Sequence, residues 1–168
     1  MTKKIILTTL LITIAAVLQS TILSPLSVFF HAKPDIALDI LVFYAYLNGV
    51  MQGQLLGFFS GLFLDFLSNA PLGLNLFVRT VIGAVSGFLN GSFLLDTVFL
   101  PVLLCAGATL LKAAILILLN ILFAGAVPAY QFNTPALWVE LAMNAALAPL
   151  IFGLIKMFTA FISKRRSR

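Results

Sequence analysis

The chain has 168 residues, 62% of them hydrophobic and 9% charged, with a mean hydropathy of +1.16. A soluble domain carries about 25% charged residues, so the composition excludes a soluble protein, and disorder, collagen and coiled coil with it. Ten Lys and Arg against five Asp and Glu give +5, but Lys3, Lys4, Lys164, Arg165, Arg166 and Arg168 crowd the ends, the pattern of cytoplasmic anchors at a membrane and not of a nucleic-acid surface.

Residues 5–23 are an apolar run preceded by Lys3 and Lys4. The run is long enough to cross a bilayer and lacks a small-x-small cleavage site, so it reads as a retained first helix. Ser24, Pro25 and Ser27 end it, and a loop with His31, Lys33, Pro34 and Asp35 follows. A helix over 35–68 would be about 51 Å long, too long for one crossing and short for two. Asn48, Gly49, Gln52 and Gly53 interrupt it, which predicts two short helices, 36–47 and 54–68, or a re-entrant hairpin. Asn69, Pro71 and Gly73 make a tight turn into a helix over 74–95. Asp96 and Thr97 are caps for a helix over 101–124, and Thr134-Pro135 opens the last, 135–162, where Pro149 is expected to produce a kink.

The reading is all-α: a single polytopic membrane bundle of about six transmembrane helices, the second and third short. With both ends inside, six basic residues lie on the cytoplasmic side and Lys33 alone in the outer loops. Both basic ends on one side require an even number of crossings. Tyr130 and Trp138 fall at the outer boundary, where amphipathic rings sit well.

The most specific pattern is glycine at every fourth position. Gly49, Gly53, Gly57 and Gly61 lead to Asp65, and Arg79 leads to Gly83, Gly87 and Gly91. Each series forms a groove on one helix face, for packing within the bundle or for a partner's helix. Asp65 and Arg79 lie equally far from Leu72 in antiparallel helices, which predicts a structural ion pair. Lys112 is deep in its helix and shares a face with Cys105, Ala108 and Thr109. Asp39, Glu140 and Asn144 are further buried polar positions, lining a ligand or ion cavity, locking the bundle or contacting a partner.

No catalytic, cofactor or metal site is expected. His31 is the lone His and Cys105 the lone Cys, and neither stands in a zinc or nucleophile motif. Asp35 and Asp39 read as a helix cap and a bundle-facing acid. The basic tail is placed on anionic membrane lipid.

The chain resembles the MreD family of bacterial rod shape-determining membrane proteins. The resemblance rests on Leu18-Gln19-Ser20-Thr21, on Pro34-Asp35, and on Gly57-Phe58-Phe59-Ser60-Gly61-Leu62-Phe63-Leu64-Asp65 followed by Pro71-Leu72-Gly73. It implies a non-enzymatic subunit of the elongation machinery in the inner membrane, working with an MreC-type partner in peptidoglycan synthesis. The alternative is a substrate-binding S component of an energy-coupling-factor transporter, an S-component-like bundle in which Lys112 and Glu140 line a vitamin pocket.

Overall fold

A computed structural model describes residues 32–92, 98–128, 130 and 135–165, and their regular structure is entirely α-helical: α1 Ile36–Asn48, α2 Val50–Leu67, α3 Leu74–Phe88, α4 Phe99–Leu122 and α5 Pro135–Arg165. The predicted helix 5–23 lies outside the described residues, with His31, Asp96, Thr97, Thr134 and the terminal basic residues Lys3, Lys4, Arg166 and Arg168.

Among the described residues, only α2, α4 and α5 are long and apolar enough to cross a membrane. The 13 residues of α1 and 15 of α3 span about 20 and 22 Å, short of a ~30 Å hydrocarbon core. The second predicted helix is thus short as expected, but the expectation that the third is short is corrected: it is long enough to cross, and the fourth predicted helix is the other short one. The break after Asn48 takes a single residue. Gly49 adopts φ +89°, which a residue without Cβ tolerates, and caps the end of α1 and the start of α2 at once. Gln52 and Gly53 consequently stay helical, and α2 has 18 residues. Conversely α3 stops at Phe88, ahead of the expected 95, where Gly91 turns at φ +74°.

The short α1 sits at the centre and touches every other described helix. Phe43, Tyr46, Leu38 and Leu41 are buried on it, and Phe43 packs closely on Phe152 of α5, with tilted rings whose centroids are 4.3 Å apart. The outer helices turn bulky side chains away from the bundle, among them Phe58, Phe59, Phe63 and Phe66 of α2. In lipid such exposure carries no penalty, and association rests on close packing and polar contacts.

Close packing is most pronounced between α2 and α3, whose glycine faces meet. A Cβ on Gly53 would lie 2.2 Å from the Gly83 carbonyl oxygen, and one on Gly57 2.3 Å from that of Arg79. One on Gly61 would lie 2.4 Å from Leu76 Cα, and one on Gly87 2.7 Å from the Gly49 backbone. These glycines are occupied inside the bundle, and none of them is left open to a partner's helix. Gly49 and Gly91, both outside the helices, stand apart, with nothing within 4 Å of where their Cβ atoms would be.

Candidate functional site

The contact between α2 and α3 fixes where their charges fall. Gly57 lies against the Arg79 carbonyl, so Arg79 is level with Gly57, eight residues and about 12 Å along α2 from Asp65. The expected Asp65–Arg79 pair is not formed. Asp65 instead accepts from the backbone N–H groups of Gly73 (2.9 Å), Asn75 (2.9 Å) and Leu76 (3.1 Å), and from Asn75 Nδ2 at 3.0 Å. These amides open α3, whose own N-cap residue, Gly73, has no side chain to satisfy them. A carboxylate at the positive end of a helix that meets its orphan donors is well placed. The preceding helix thus supplies the cap.

Arg79 pairs with Asp35, Nη2 to Oδ1 at 2.6 Å. Asp35 stands just ahead of α1, and its Oδ1 also accepts the N–H of Leu38, closing the helix N-terminus. Its Oδ2 accepts from Lys112 Nζ of α4 at 3.0 Å. The same ammonium donates to Glu140 Oε1 of α5 at 2.8 Å, and the other Glu140 oxygen accepts from the Tyr130 hydroxyl. Burial pushes the Tyr130 phenol up to about 12, so at neutral pH it remains a donor. The Asp35 N–H donates to Asn144 Oδ1 (2.7 Å), Asn144 Nδ2 to Thr109 Oγ1 (2.9 Å), and Thr109 to the Cys105 carbonyl (2.9 Å).

Two cations and two carboxylates therefore alternate in an electroneutral chain that joins the start of α1 to α3, α4, α5 and the segment between α4 and α5. Desolvated charges in a membrane are costly unless paired and hydrogen-bonded, and this arrangement meets both conditions. Its members are held by one another. Asp39 is the exception. It is fully buried one turn beyond Asp35, and neither carboxylate oxygen has a hydrogen-bond partner among the described residues; the same holds for Arg79 Nη1.

The structure thus brings Arg79, Lys112, Glu140 and Asn144 together, while Asp65 belongs to a separate cap. Sequence reasoning missed Asp35 as the hub, because capping α1 already accounted for it, and missed Tyr130 as its outer end. One signal was legible. Two intramembrane cations need two deep anions, and Asp65, close to a helix end, is poorly placed to be one.

Among the described residues no His, Cys, Asp or Glu group is arranged to hold a metal. A cavity of about 500 Å³ lies between the α2–α3 turn and the C-terminal end of α4. Neither Lys112 nor Glu140 lines it; the two residues expected in a vitamin pocket are bonded to each other. The family model described as rod shape-determining protein MreD matches residues 1–158. Comparison with curated proteins and with solved structures gave no match.

Proposed function

The chain belongs to the MreD family of rod shape-determining proteins, and we propose that it is a non-enzymatic inner-membrane subunit of the bacterial elongation machinery, supporting peptidoglycan synthesis through an MreC-type partner. The observation that carries the non-enzymatic reading is the self-contained network of Asp35, Arg79, Lys112 and Glu140. Its charges hold helices to one another, as a scaffold requires, where an active site would hold one poised for a reactant. Both termini are cytoplasmic in this reading, following the basic ends.

Depletion in the bacterium that encodes the chain tests the reading. Rods are expected to round up as the protein is lost, and a tagged copy purified in mild detergent should bring down an MreC-type protein. Rods that keep their shape with the protein gone would overturn it.

A further inference from the structure

Among the described residues, Asp39 is the buried acid that neither the ionic network nor the cap of α3 uses. It is fully enclosed on α1, the central helix. Neither of its carboxyl oxygens meets a donor as those of Asp35 and Glu140 do. The Cys105 thiol of α4 lies beside it, and a thiol is a weak donor.

The charges around Asp39 are already balanced. Asp35, just ahead of α1, and Glu140 of α5 answer Arg79 of α3 and Lys112 of α4. Asp35, Lys112 and Glu140 are the charged groups that act on Asp39, and two of these three are anions. On α2 the one ionisable side chain is Asp65, taken up by the cap of α3. Lys156 of α5 is exposed, beyond Phe152, and α1 itself adds the phenols of Tyr44 and Tyr46 further along the helix. A charge on Asp39 would be a third anion against two cations, in an interior where an uncompensated charge is very costly.

A bound metal ion or a bound proton would remove that charge. A metal ion wants a shell of oxygen ligands, and the neighbouring side-chain oxygens are engaged. Asn144 Oδ1 accepts from the Asp35 N–H, while Thr109 Oγ1, one turn from Cys105, accepts from Asn144 and donates to the Cys105 carbonyl. A proton needs no such shell. We propose that Asp39 is a proton-binding site of the bundle: its carboxyl group carries a proton in the folded protein at neutral pH and releases it when the bundle opens to water. The seating of α1 among the other helices is then coupled to the uptake of one proton.

The test is infrared spectroscopy of the full chain at neutral pH in an ester-free detergent, where a protonated carboxyl shows a C=O stretch that a carboxylate lacks. Wild-type protein should show this band, shifted by heavy water and by carbon-13 labelling of aspartate. Asp39→Asn and Asp39→Ala should each remove it, and Asp65→Asn should retain it. Cys105→Ser puts a stronger donor beside the acid and should move the band to lower frequency. Reversible urea unfolding in the same detergent is the second readout. A group protonated when folded and ionised when unfolded loses stability as pH rises. From about pH 5 to 7 the folding constant of wild type should therefore fall about tenfold per pH unit relative to that of Asp39→Asn, the linkage of one proton. A spectrum in which neither folded Asp39 variant loses a carboxyl band, or parallel pH dependence of the two proteins, would overturn the proposal. So would stabilisation by sodium ions of wild type and not of Asp39→Asn, since a metal cation would then answer an ionised Asp39.

Discussion

Asp35, Asp39 and Asp65 are three buried acids whose surroundings assign them three different energetic roles. Asp35 answers two cations, and removing one partner of a buried pair costs about 3–5 kcal/mol. Asp35→Ala should therefore lower thermal stability in detergent most. Asp35→Asn keeps a side-chain oxygen able to cap α1 and removes the charge, so the difference between the two variants isolates the cap, about 1 kcal/mol. Asp65→Ala, which strands the amides at the start of α3, should cost about 1–3 kcal/mol. Asp39→Ala should cost little or even stabilise, since the Cys105 thiol beside it is a weak donor and a buried carboxyl that no strong donor reaches is itself a liability of about 1–3 kcal/mol. Double-mutant cycles decide the pairing. Asp35 with Arg79 should couple by more than about 1 kcal/mol, and Asp65 with Arg79 should be additive within about 0.5 kcal/mol. The reverse ranking would restore the pairing that sequence spacing predicts.

That reversal between spacing and structure explains what was legible at the scale of elements. Glycine every fourth residue pointed to close helix faces, because the period of a helix and the need for small residues in lipid are local properties. Register is not local. Equal distances from Leu72 place Asp65 opposite Arg79 only if the contact is centred on Leu72, whereas Gly53, Gly57 and Gly61 meet Gly83, Arg79 and Leu76, centring it near residue 68. The hub at Asp35 was hidden for a related reason: a cap is readable from the residues that follow it, but its depth in the bundle depends on how α3, α4 and α5 pack around it. The glycine contact makes its own prediction. At Gly57 a Cβ would meet backbone, 2.3 Å from the Arg79 carbonyl oxygen, and backbone cannot step aside as a side chain can. Gly57→Ala should thus force α2 and α3 apart, costing about 1–3 kcal/mol as overpacking does, and Gly57→Val should cost more. Gly107→Ala on α4, where nothing lies within 4 Å, is the control and should be neutral or slightly stabilising. Equal effects at the two sites, measured as thermal midpoints in detergent, would mean that the helices do not meet through Gly57.

At the scale of the whole molecule, the cavity and the 68–73 turn mark one end of the bundle, and the network lies deeper, at the level of Gly57. Asp35 opens α1, the 68–73 turn joins α2 to α3, and Glu140 lies five residues into α5. The C-terminal end of α4 reaches the same level, because Leu119 and Phe123 share the cavity with Leu72 and Phe77. Lys33 is exposed beside this end, while α5 runs away from it toward Lys164 and Arg165. The basic run and the network end thus lie at opposite ends of α5, and basic residues favour the cytoplasm. The prediction is that the 68–73 turn and the loop after α4 face outward and the C-terminus faces inward. A Cys105→Ser background removes the lone thiol, which is buried in any case. Asn69→Cys and Ala126→Cys, both at exposed positions, should then react with a membrane-impermeant maleimide in intact cells once the outer barrier is opened. Ser167→Cys should react only after the inner membrane is permeabilised. Asn69→Cys and Ser167→Cys labelled from the same side would mean that α5 does not carry the chain across between them. Labelling with the sides exchanged would place the ionic network toward the cytoplasm and overturn the assignment of the basic tail as the inner anchor.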